Sequence, residues 1–449
     1  MARRGTALVH HFGASNLFVP VGPIAAGPSG RPGIRGGAVT GTTGKVFTWN
    51  PRPGGLDRVG IEDDSLRDGL QGAFVRHPAL DEKKALLESS AAIGVQAAML
   101  GFPSASPGAR AEAGRLVEHL DRRGVPLVPR FLALADPASI APITELDRGS
   151  DRDVWADFFV GCSPLRRRVE GWTLDSVLDR ITSAGAAARE AGTRFGVSLE
   201  DATRTPPEEL ARMVDAAVGV GAEVLTVCDT VGESTPEGAA RVVRAVREAA
   251  RGAAAGRGPE PEIWWHGHDD RGFALANAIA AAEAGADTIS GAFLGLGERA
   301  GNTALELVVM YLYQAGHPGY RPDRVLGHCR RLAEATGMPV RPNAPLIGDQ
   351  AFATCTGTHV AALVKARRWG RETEDLVFSS VPAAALGRTQ TIMVGPTSGR
   401  AAAREALASI GAPADEDTVE AVLARARSRD RWLPPSEIRA LLGTGGAPA

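Results

Sequence analysis

Short apolar runs alternate with longer amphipathic, alanine-rich segments from residue 58 to residue 323 of this 449-residue chain. The apolar runs predict β-strands and the amphipathic segments predict helices, because a parallel sheet buries both faces of its strands whereas a helix buries one. Eight strands are predicted, at Arg58–Asp63, Val95–Gly101, Pro126–Ala133, Ala156–Gly161, Phe195–Glu200, Val224–Cys228, Glu262–His266 and Thr288–Ser290. Eight such pairs in about 260 residues predict an α/β fold, a (β/α)8 TIM barrel.

Helices are predicted between these strands, for example at Thr173–Ala191, Pro206–Gly219, Pro236–Ala254, Gly272–Ala284 and Ala304–Ala315. An open, doubly wound sheet is the alternative arrangement of the same elements. No glycine-rich dinucleotide turn follows the first predicted strand, so the pattern favours the closed barrel.

The segments that flank the predicted barrel have a different pattern. Residues 1–57 are rich in glycine and proline and lack a helical or strand period, which predicts a flexible extension. Residues 324–449 predict a smaller, mostly helical C-terminal domain. Its helices are expected at Arg324–Thr336, Ala351–Lys365, Ser398–Ile410, Asp415–Ala426 and Pro435–Leu442.

Composition narrows the classes of partner. Hydrophobic residues make up 44% of the chain, charged residues 23%, and the formal net charge is −2, which argues against nucleic acid or an anionic membrane as partner. The four cysteines are scattered, and neither a long apolar run nor a signal-peptide pattern is present. We therefore expect a cytoplasmic protein that binds small molecules or other subunits.

Polar side chains fall at the C-terminal ends of the predicted strands, where barrels of this class carry their active sites. Asp68 follows strand 1, His266 and His268 end strand 7, and Asn302 follows strand 8. Histidines at positions i and i+2 of a strand point to the same side, and strands 7, 8 and 1 are neighbours in a closed barrel. Two imidazoles and one carboxylate predict an open site for a divalent Zn, Mn, Mg or Co ion.

Each motif has another interpretation when it is taken alone. A His-x-His pair is more often two polar side chains at a strand end than a ligand pair. Asp269-Asp270 also fits a solvated loop or a helix N-cap, and Leu66–Gly69 also fits a turn with a surface ion pair. Their joint placement at one rim favours a functional site.

Three motifs together resemble a known family of metal-dependent barrel enzymes, which includes isopropylmalate, homocitrate and citramalate synthases and 3-hydroxy-3-methylglutaryl-CoA lyase. The motifs are Leu66-Arg67-Asp68-Gly69-x-Gln71, His266-x-His268-Asp269-Asp270-x-Gly272 and Gly297-Glu298-Arg299-Ala300-Gly301-Asn302. The resemblance covers roughly residues 58 to 400. It implies that Asp68, His266 and His268 hold the metal, with Asn302 close to it.

The resemblance also implies a reaction, in which acetyl-CoA condenses with a 2-oxo acid to give a 2-hydroxy dicarboxylic acid and CoA. Arg67 would face the reacting carbonyl, where its fixed charge suits a developing enolate or alkoxide. Thr230 would hydrogen-bond the substrate carboxylate. Glu200 and Ser198 would line the same rim, where Glu200 is expected to be catalytic and Ser198 to bind substrate. The 2-oxo acid remains open among pyruvate, 2-oxoisovalerate, 2-oxoglutarate, oxaloacetate and a phosphonate analogue.

Two further residues extend the predicted site. The segment Ala351-Phe352 to His359-Val360 resembles a downstream part of the synthases, whose histidine reaches in from the partner subunit. His359 is therefore the expected base of a homodimer, and a helix-surface histidine is the alternative. Arg166, after strand 4, is expected to bind a second anionic group of the substrate or the CoA phosphates, and an exposed basic helix start is its alternative.

The chain departs from the synthase pattern at two positions. Leu70 replaces a glutamate, as in the lyase branch, and Phe378 stands where a tyrosine is usual. A lyase that runs the reverse cleavage is one alternative function, although the loop Gly291–Asn302 lacks the lyase cysteine. A catalytically silent binding barrel is the other, and it predicts missing ligands, whereas Arg67 and the three metal ligands are all present.

Overall fold

The computed structural model of this protein describes residues 49–50 and 54–443. Contacts divide the chain into two units, Met1–Asn50 and Pro51–Ala449. The fold below is that of the second unit; of the first, only Trp49 and Asn50 are described, and both are exposed. The predicted extension, residues 1–57, lies outside the described residues except for 49–50 and 54–57, and it stays a prediction.

Eight parallel strands form a closed barrel in the order β1 to β8, with β8 pairing back to β1. The strands are β1 Gly60–Asp63, β2 Ala97–Met99, β3 Val128–Leu134, β4 Trp155–Gly161, β5 Phe195–Glu200, β6 Val224–Asp229, β7 Glu262–Gly267 and β8 Thr288–Gly291. The barrel prediction is confirmed, and strand 7 ends one residue later than predicted. His268 therefore lies just beyond the strand, where it forms an isolated antiparallel bridge with Asn302.

Nine helices of the described residues accompany the barrel strands. They are α1 Leu80–Ile93, α2 Pro107–Arg123, α3 Pro137–Arg148, α4 Pro164–Glu170, α5 Leu174–Ala191, α6 Pro207–Gly219, α7 Pro236–Ala254, α8 Ala274–Glu283 and α9 Leu305–Gln314. Helix α5 shows the local causes: the Thr173 side chain caps it by accepting from the Ser176 N–H, and Gly192, with φ of 77°, ends it. Within the described residues, no helix is both long enough and apolar enough to cross a bilayer.

The two faces of each barrel strand have different environments. Ile61, Trp265 and Ile289 belong to the main hydrophobic core between strands and helices. The alternate positions point into the barrel, where Trp264 belongs to a small separate apolar cluster. Along the same inward face the register places Glu62 beside Ser290 and Ser290 beside His266. A polar layer therefore lies next to the C-terminal rim.

The region after the barrel is mostly helical. It contains α10 Val325–Thr336, β9 Ala353–Thr354, α11 Gly357–Arg367, α12 Arg371–Leu376, β10 Thr391–Ile392, α13 Arg400–Ser409, α14 Glu416–Arg427 and α15 Pro435–Leu441. Its first part, including Leu332 and Phe352, extends the barrel core, whereas the α13 and α14 side chains pack in a second core. The domain boundary at residues 323 and 324 stays a prediction.

The predicted helix Ala351–Lys365 is wrong in its first half. Ala353 and Thr354 form the short strand β9, which pairs in parallel with Thr391 and Ile392 of β10. The Thr391 N–H donates to the Phe352 carbonyl at 2.8 Å. The backbone of this segment is therefore hydrogen-bonded to a strand that is distant in sequence. Helix α11 then begins only at Gly357.

Candidate active site

Asp68, His266 and His268 converge at the C-terminal rim of the barrel. Their side chains are buried, and their ligand atoms all lie within 4.8 Å of one another. The two histidine Nε2 atoms are 3.4 Å apart, and His268 Nε2 lies 3.8 Å from Asp68 Oδ2. The structure thus brings together the three side chains that strand order alone had placed side by side.

The local electrostatics keep both imidazoles neutral and the carboxylate charged. Burial, with the nearby His268, lowers the pKa of His266 to about 3, and burial also lowers the pKa of His268. Burial would raise the pKa of Asp68, but the adjacent Arg67 guanidinium and the histidines hold it well below its usual range. Neutral nitrogen donors facing one carboxylate form a suitable donor set for a divalent cation.

A buried atom without a partner adds a fourth donor to this set. Asn302 is 2% exposed, and its Oδ1 makes no hydrogen bond, whereas its Nδ2 donates to Asp68 Oδ1 at 2.8 Å and to the Leu296 carbonyl at 2.9 Å. Asp68 Oδ1 also accepts from the Glu298 N–H at 3.2 Å. An orphaned carbonyl oxygen in a buried site is costly unless a cation or donor satisfies it, so these residues fit a metal ion.

The loop after β8, residues 292–304, approaches the site so closely that it requires glycine. A Cβ atom at Gly297 would lie 2.8 Å from Asp68 Oδ1 and would also collide with the Asn302 amide. Glycine at this position therefore lets the loop backbone pack against the two side chains.

The second nitrogens of the two histidines have different environments. His266 Nδ1 lies 3.3 Å from the Ser290 hydroxyl, which orients this ring so that Nε2 faces the site. His268 Nδ1 is buried without a hydrogen-bond partner in the described residues. The orientation of the His266 ring is thus set by β8, the strand beside it.

Arg67 lies between two carboxylates at the end of β1. Its Nη1 donates to Asp68 Oδ2 at 2.9 Å, its Nη2 pairs with Asp64, and its Nε is buried without a partner. Asp64, which is fully buried, was not among the site residues predicted from the sequence. The run Glu62-Asp63-Asp64 was the available signal, because three acids at the end of a buried strand are unusual.

Two predicted site residues, Glu200 and Arg166, are paired with each other. Arg166 Nε donates to Glu200 Oε1 at 2.9 Å, and its Nη1 pairs with Glu170 on the same helix, α4. The Arg166 side chain is 34% exposed and the Glu200 side chain 20%. The pair lies at the ends of β4 and β5, so both residues lie on the rim, and their roles stay predictions.

Thr230 follows β6, whereas Ser198 lies within the neighbouring strand β5, and the two have different partners. The Thr230 hydroxyl oxygen accepts from the Asp201 N–H at 2.8 Å, which leaves its own proton available to donate. Ser198 is buried and donates to Asp157 Oδ1 at 2.8 Å. Ser198 therefore belongs to the interior of the barrel, and its predicted contact with substrate stays untested.

An ionic network that the sequence pattern did not predict lies in the barrel interior. Arg130, which is 1% exposed, pairs with Asp157, lies 3.1 Å from Glu62 Oε1, and has its guanidinium carbon 3.9 Å from the centre of a Trp264 ring. Burial raises the pKa of Glu62, which Arg130 opposes. Single acids and bases on separate strands give no local signal that they meet inside a barrel.

His359 is on the exposed surface of α11, and its ring stacks on Phe378 with centroids 4.1 Å apart. The contacts described for this histidine do not join it to Asp68, His266 or His268. Phe378 thus lies beside the predicted base, where the resemblance had led us to expect a tyrosine.

Fold and site together define a TIM-barrel protein with a buried Asp/His/His cluster at its C-terminal rim. The chain matches the family model described as HMGL-like over residues 58–333. This match covers more than half of the chain. The protein therefore belongs to the HMGL-like family.

Curated relatives of this chain are named as synthases. It is 32% identical to homocitrate synthase AksA of Methanopyrus kandleri, over 83% of this chain and 88% of the relative. It is 29% identical to 2-isopropylmalate synthase of Halothermothrix orenii, over 82% of this chain and 69% of the relative. It is also 29% identical to the putative (R)-citramalate synthase CimA of Methanopyrus kandleri, over 86% of this chain and 72% of the relative. The resemblance stated from the motifs is confirmed.

A solved structure shares the fold. The HMG-CoA lyase of Bacillus subtilis superposes with a TM-score of 0.52 at 22% identity, over 63% of this chain and 95% of that chain. At this identity the likeness concerns the barrel alone.

Proposed function

We propose that this protein condenses acetyl-CoA with a 2-oxo acid to give a 2-hydroxy dicarboxylic acid and CoA. The observation that carries the proposal is the convergence of Asp68, His266 and His268 with the half-buried Arg67 at one rim. Relatives named homocitrate, isopropylmalate and citramalate synthase, which the chain matches over most of its length, support it.

Asp68, His266 and His268 would hold a divalent Zn, Mn, Mg or Co ion, with Asn302 beside it through its unpartnered Oδ1. When bound, the ion would supply Lewis-acid polarisation of the keto group. The carboxylate and the two neutral imidazoles provide the donors, and Ser290 orients one ring.

Arg67 would stabilise the negative charge that develops on oxygen. Its Nη atoms are held by Asp64 and Asp68, and its Nε is the nitrogen without a partner. A guanidinium that is already held in place by two carboxylates needs little reorganisation when negative charge develops beside it. Thr230 would donate its free hydroxyl proton to the carboxylate of the 2-oxo acid.

The carbon–carbon bond forms between the methyl carbon of acetyl-CoA and the keto carbon. A base first removes a methyl proton, and the keto oxygen is protonated after the bond has formed. Water then cleaves the thioester, which releases CoA and leaves a carboxylate. We propose His359 of the partner subunit as the base, which requires a homodimer. We propose Glu200 as a further catalytic group and Arg166, its ion-pair partner, as a substrate-binding group of the rim.

We propose the cytoplasm as the location of this activity. The four cysteines of the protein are free, and three of them are buried. Unpaired buried thiols are typical of proteins from a reducing compartment.

Release of CoA from acetyl-CoA, measured with pyruvate, 2-oxoisovalerate, 2-oxoglutarate and oxaloacetate in turn, tests the proposal. We expect release with at least one of these acids, loss of release after the metal is stripped with a chelator, and recovery when a divalent ion is added back. His266→Ala should abolish turnover and leave the circular dichroism spectrum unchanged. Release that depends on none of the acids, or full activity after stripping, contradicts the proposal.

A further inference from the structure

Asp64 follows β1 directly and has a fixed position beside the site. Its N–H donates to the Gly291 carbonyl at 2.7 Å, which continues the β1–β8 ladder. Its own carbonyl accepts from the Arg67 N–H at 3.2 Å and the Gly69 N–H at 3.0 Å. The Asp64 backbone is therefore held by hydrogen bonds from both its N–H and its carbonyl, which fixes the point from which its side chain projects.

The Asp64 carboxylate contacts three residues of the site. Oδ1 accepts from the Asp68 N–H at 3.2 Å, and Oδ2 pairs with Arg67 Nη2. Oδ2 also lies 3.8 Å from His266 Nδ1. These are the side-chain contacts of this fully buried acid in the described residues. Because a buried carboxylate without partners lowers the stability of a fold, the contacts with the site account for its presence.

The geometry sets up a competition for one oxygen of Asp68. Oδ1 of Asp68 is occupied by the Asn302 amide at 2.8 Å and by a backbone N–H. Oδ2 receives Arg67 Nη1 at 2.9 Å and is also the oxygen that faces His268 Nε2 at 3.8 Å. A cation held between the histidines and Asp68 would therefore use the same oxygen as the guanidinium.

We propose that Asp64 is a positioning residue that gives Arg67 a second carboxylate partner, so that Asp68 Oδ2 is available to a divalent ion. Without Asp64, Asp68 would be the remaining hydrogen-bonded carboxylate partner of the Arg67 guanidinium, which would then compete directly with the ion. The inference rests on the proposed function in one respect, that the site binds a divalent ion.

The same strand supplies a matched control. Side chains alternate along β1, so that Asp63 points away from Arg67. Asp63 Oδ1 accepts from the Ser65 N–H at 2.9 Å, and Oδ2 accepts from the Ser90 hydroxyl at 2.7 Å. Asp63 is thus a buried acid of the same turn without a contact to the guanidinium.

A double-mutant cycle read out as Co²⁺ affinity tests the inference. The metal-stripped wild type, Asp64→Asn, Arg67→Gln and the double variant are titrated with Co²⁺ by calorimetry and by the visible absorption of the bound ion. We expect Asp64→Asn to weaken Co²⁺ binding about 10- to 100-fold. Arg67→Gln should recover most of this loss in the Asp64→Asn background and change affinity far less in the wild type.

An equal effect of Arg67→Gln in both backgrounds overturns the inference, because a merely structural role of Asp64 gives an additive cycle. Asp63→Asn should retain near wild-type Co²⁺ affinity, and a loss as large as that of Asp64→Asn also overturns it. Asp64→Ser, whose hydroxyl can still accept from the Asp68 N–H, repeats the cycle if the asparagine variant does not fold. A wild type that binds no divalent ion contradicts the proposed function as well, whereas an additive cycle contradicts this inference alone.

Discussion

Arg67 carries a fixed positive charge into a buried site, and each of its nitrogens has a distinct environment. Two are held by Asp64 and Asp68, and Nε is buried and unpartnered. Burial works against this charge, but the neighbouring carboxylates raise the pKa of Arg67 above its usual value. The guanidinium therefore stays charged throughout the physiological pH range.

Arg67→Gln should lower kcat by about 10²- to 10³-fold, as expected when one preorganised donor to a developing negative charge is lost. Arg67→Lys should recover part of this loss, because the charge returns without the planar fork. Steady-state kinetics of CoA release measure both. Arg212→Gln, which breaks an exposed pair with Asp175, is the control and should leave kcat unchanged. A kcat of Arg67→Gln close to the wild-type value would refute the role.

The sequence was sufficient to predict the ligand residues but not what surrounds them. Asp68, His266 and His268 could be grouped because barrel order makes strands 7, 8 and 1 neighbours. The order of strands could not predict that Asp64 pairs with Arg67 or that Arg166 pairs with Glu200, because these pairings depend on the directions of the side chains. Metal-ligand types in a short motif are visible in a sequence, whereas the partners of a common acid are not.

At the scale of elements, α9 anchors the loop after β8 that carries Asn302. Glu306, near the start of this helix, is 6% exposed, and its Oε2 accepts from the Leu294 N–H at 2.9 Å. Leu294 has a φ of 62°, a left-handed conformation that a branched residue rarely adopts. The carboxyl thus secures a strained point of the loop.

Burial raises the pKa of Glu306 to about 7 from its usual value of 4.5. The folded state therefore holds this proton where the unfolded state releases it, so the free energy of unfolding should fall as the pH rises from about 4.5 to about 7. Glu306→Gln keeps the acceptor and removes the charge. Relative to wild type, the variant should gain on the order of 2 kcal/mol between pH 5 and pH 8.

Thermal and urea unfolding of wild type and Glu306→Gln at pH 5 and pH 8 measure this difference. Glu298→Gln, in an exposed part of the same loop, is a control for a general effect of charge. A stability difference between wild type and Glu306→Gln that does not change with pH contradicts the prediction.

Elements with a strong local pattern were predicted well, and those that depend on distant pairing were not. Strand β5, Phe195–Glu200, and helix α7, Pro236–Ala254, have the predicted bounds. The segment from Ala351 to Lys365 has a helical composition, yet β9 forms there because β10, nearly forty residues later, supplies its hydrogen-bond partner. Backbone pairing over that distance is not encoded in a local period.

At the scale of the whole molecule, the proposed base and the proposed metal site belong to different parts of the chain. His359 is exposed on α11, whereas Asp68 and the two histidines are buried at the barrel rim. A symmetric dimer in which each α11 serves the partner's barrel would reconcile the two positions.

Mixing the inactive variants His266→Ala and His359→Ala tests this arrangement. If His359 acts across the interface, each mixed dimer has one site with both defects and one intact site. Unfolding and refolding the variants together should then restore about a quarter of wild-type CoA release. Recovery should be absent for either variant refolded alone. A mixture that stays inactive, although mixed dimers are detected by mass spectrometry, contradicts the exchange of His359 between subunits.

The most direct test of the central claim is the fate of the methyl carbon of acetyl-CoA. With methyl-labelled ¹³C acetyl-CoA and the active 2-oxo acid, we predict a 2-hydroxy dicarboxylic acid in which the labelled carbon is bonded to the former keto carbon, formed one for one with CoA. The product should disappear in His266→Ala and after metal is stripped. Labelled free acetate with an unchanged 2-oxo acid would contradict the account, because it would show thioester hydrolysis without carbon–carbon bond formation.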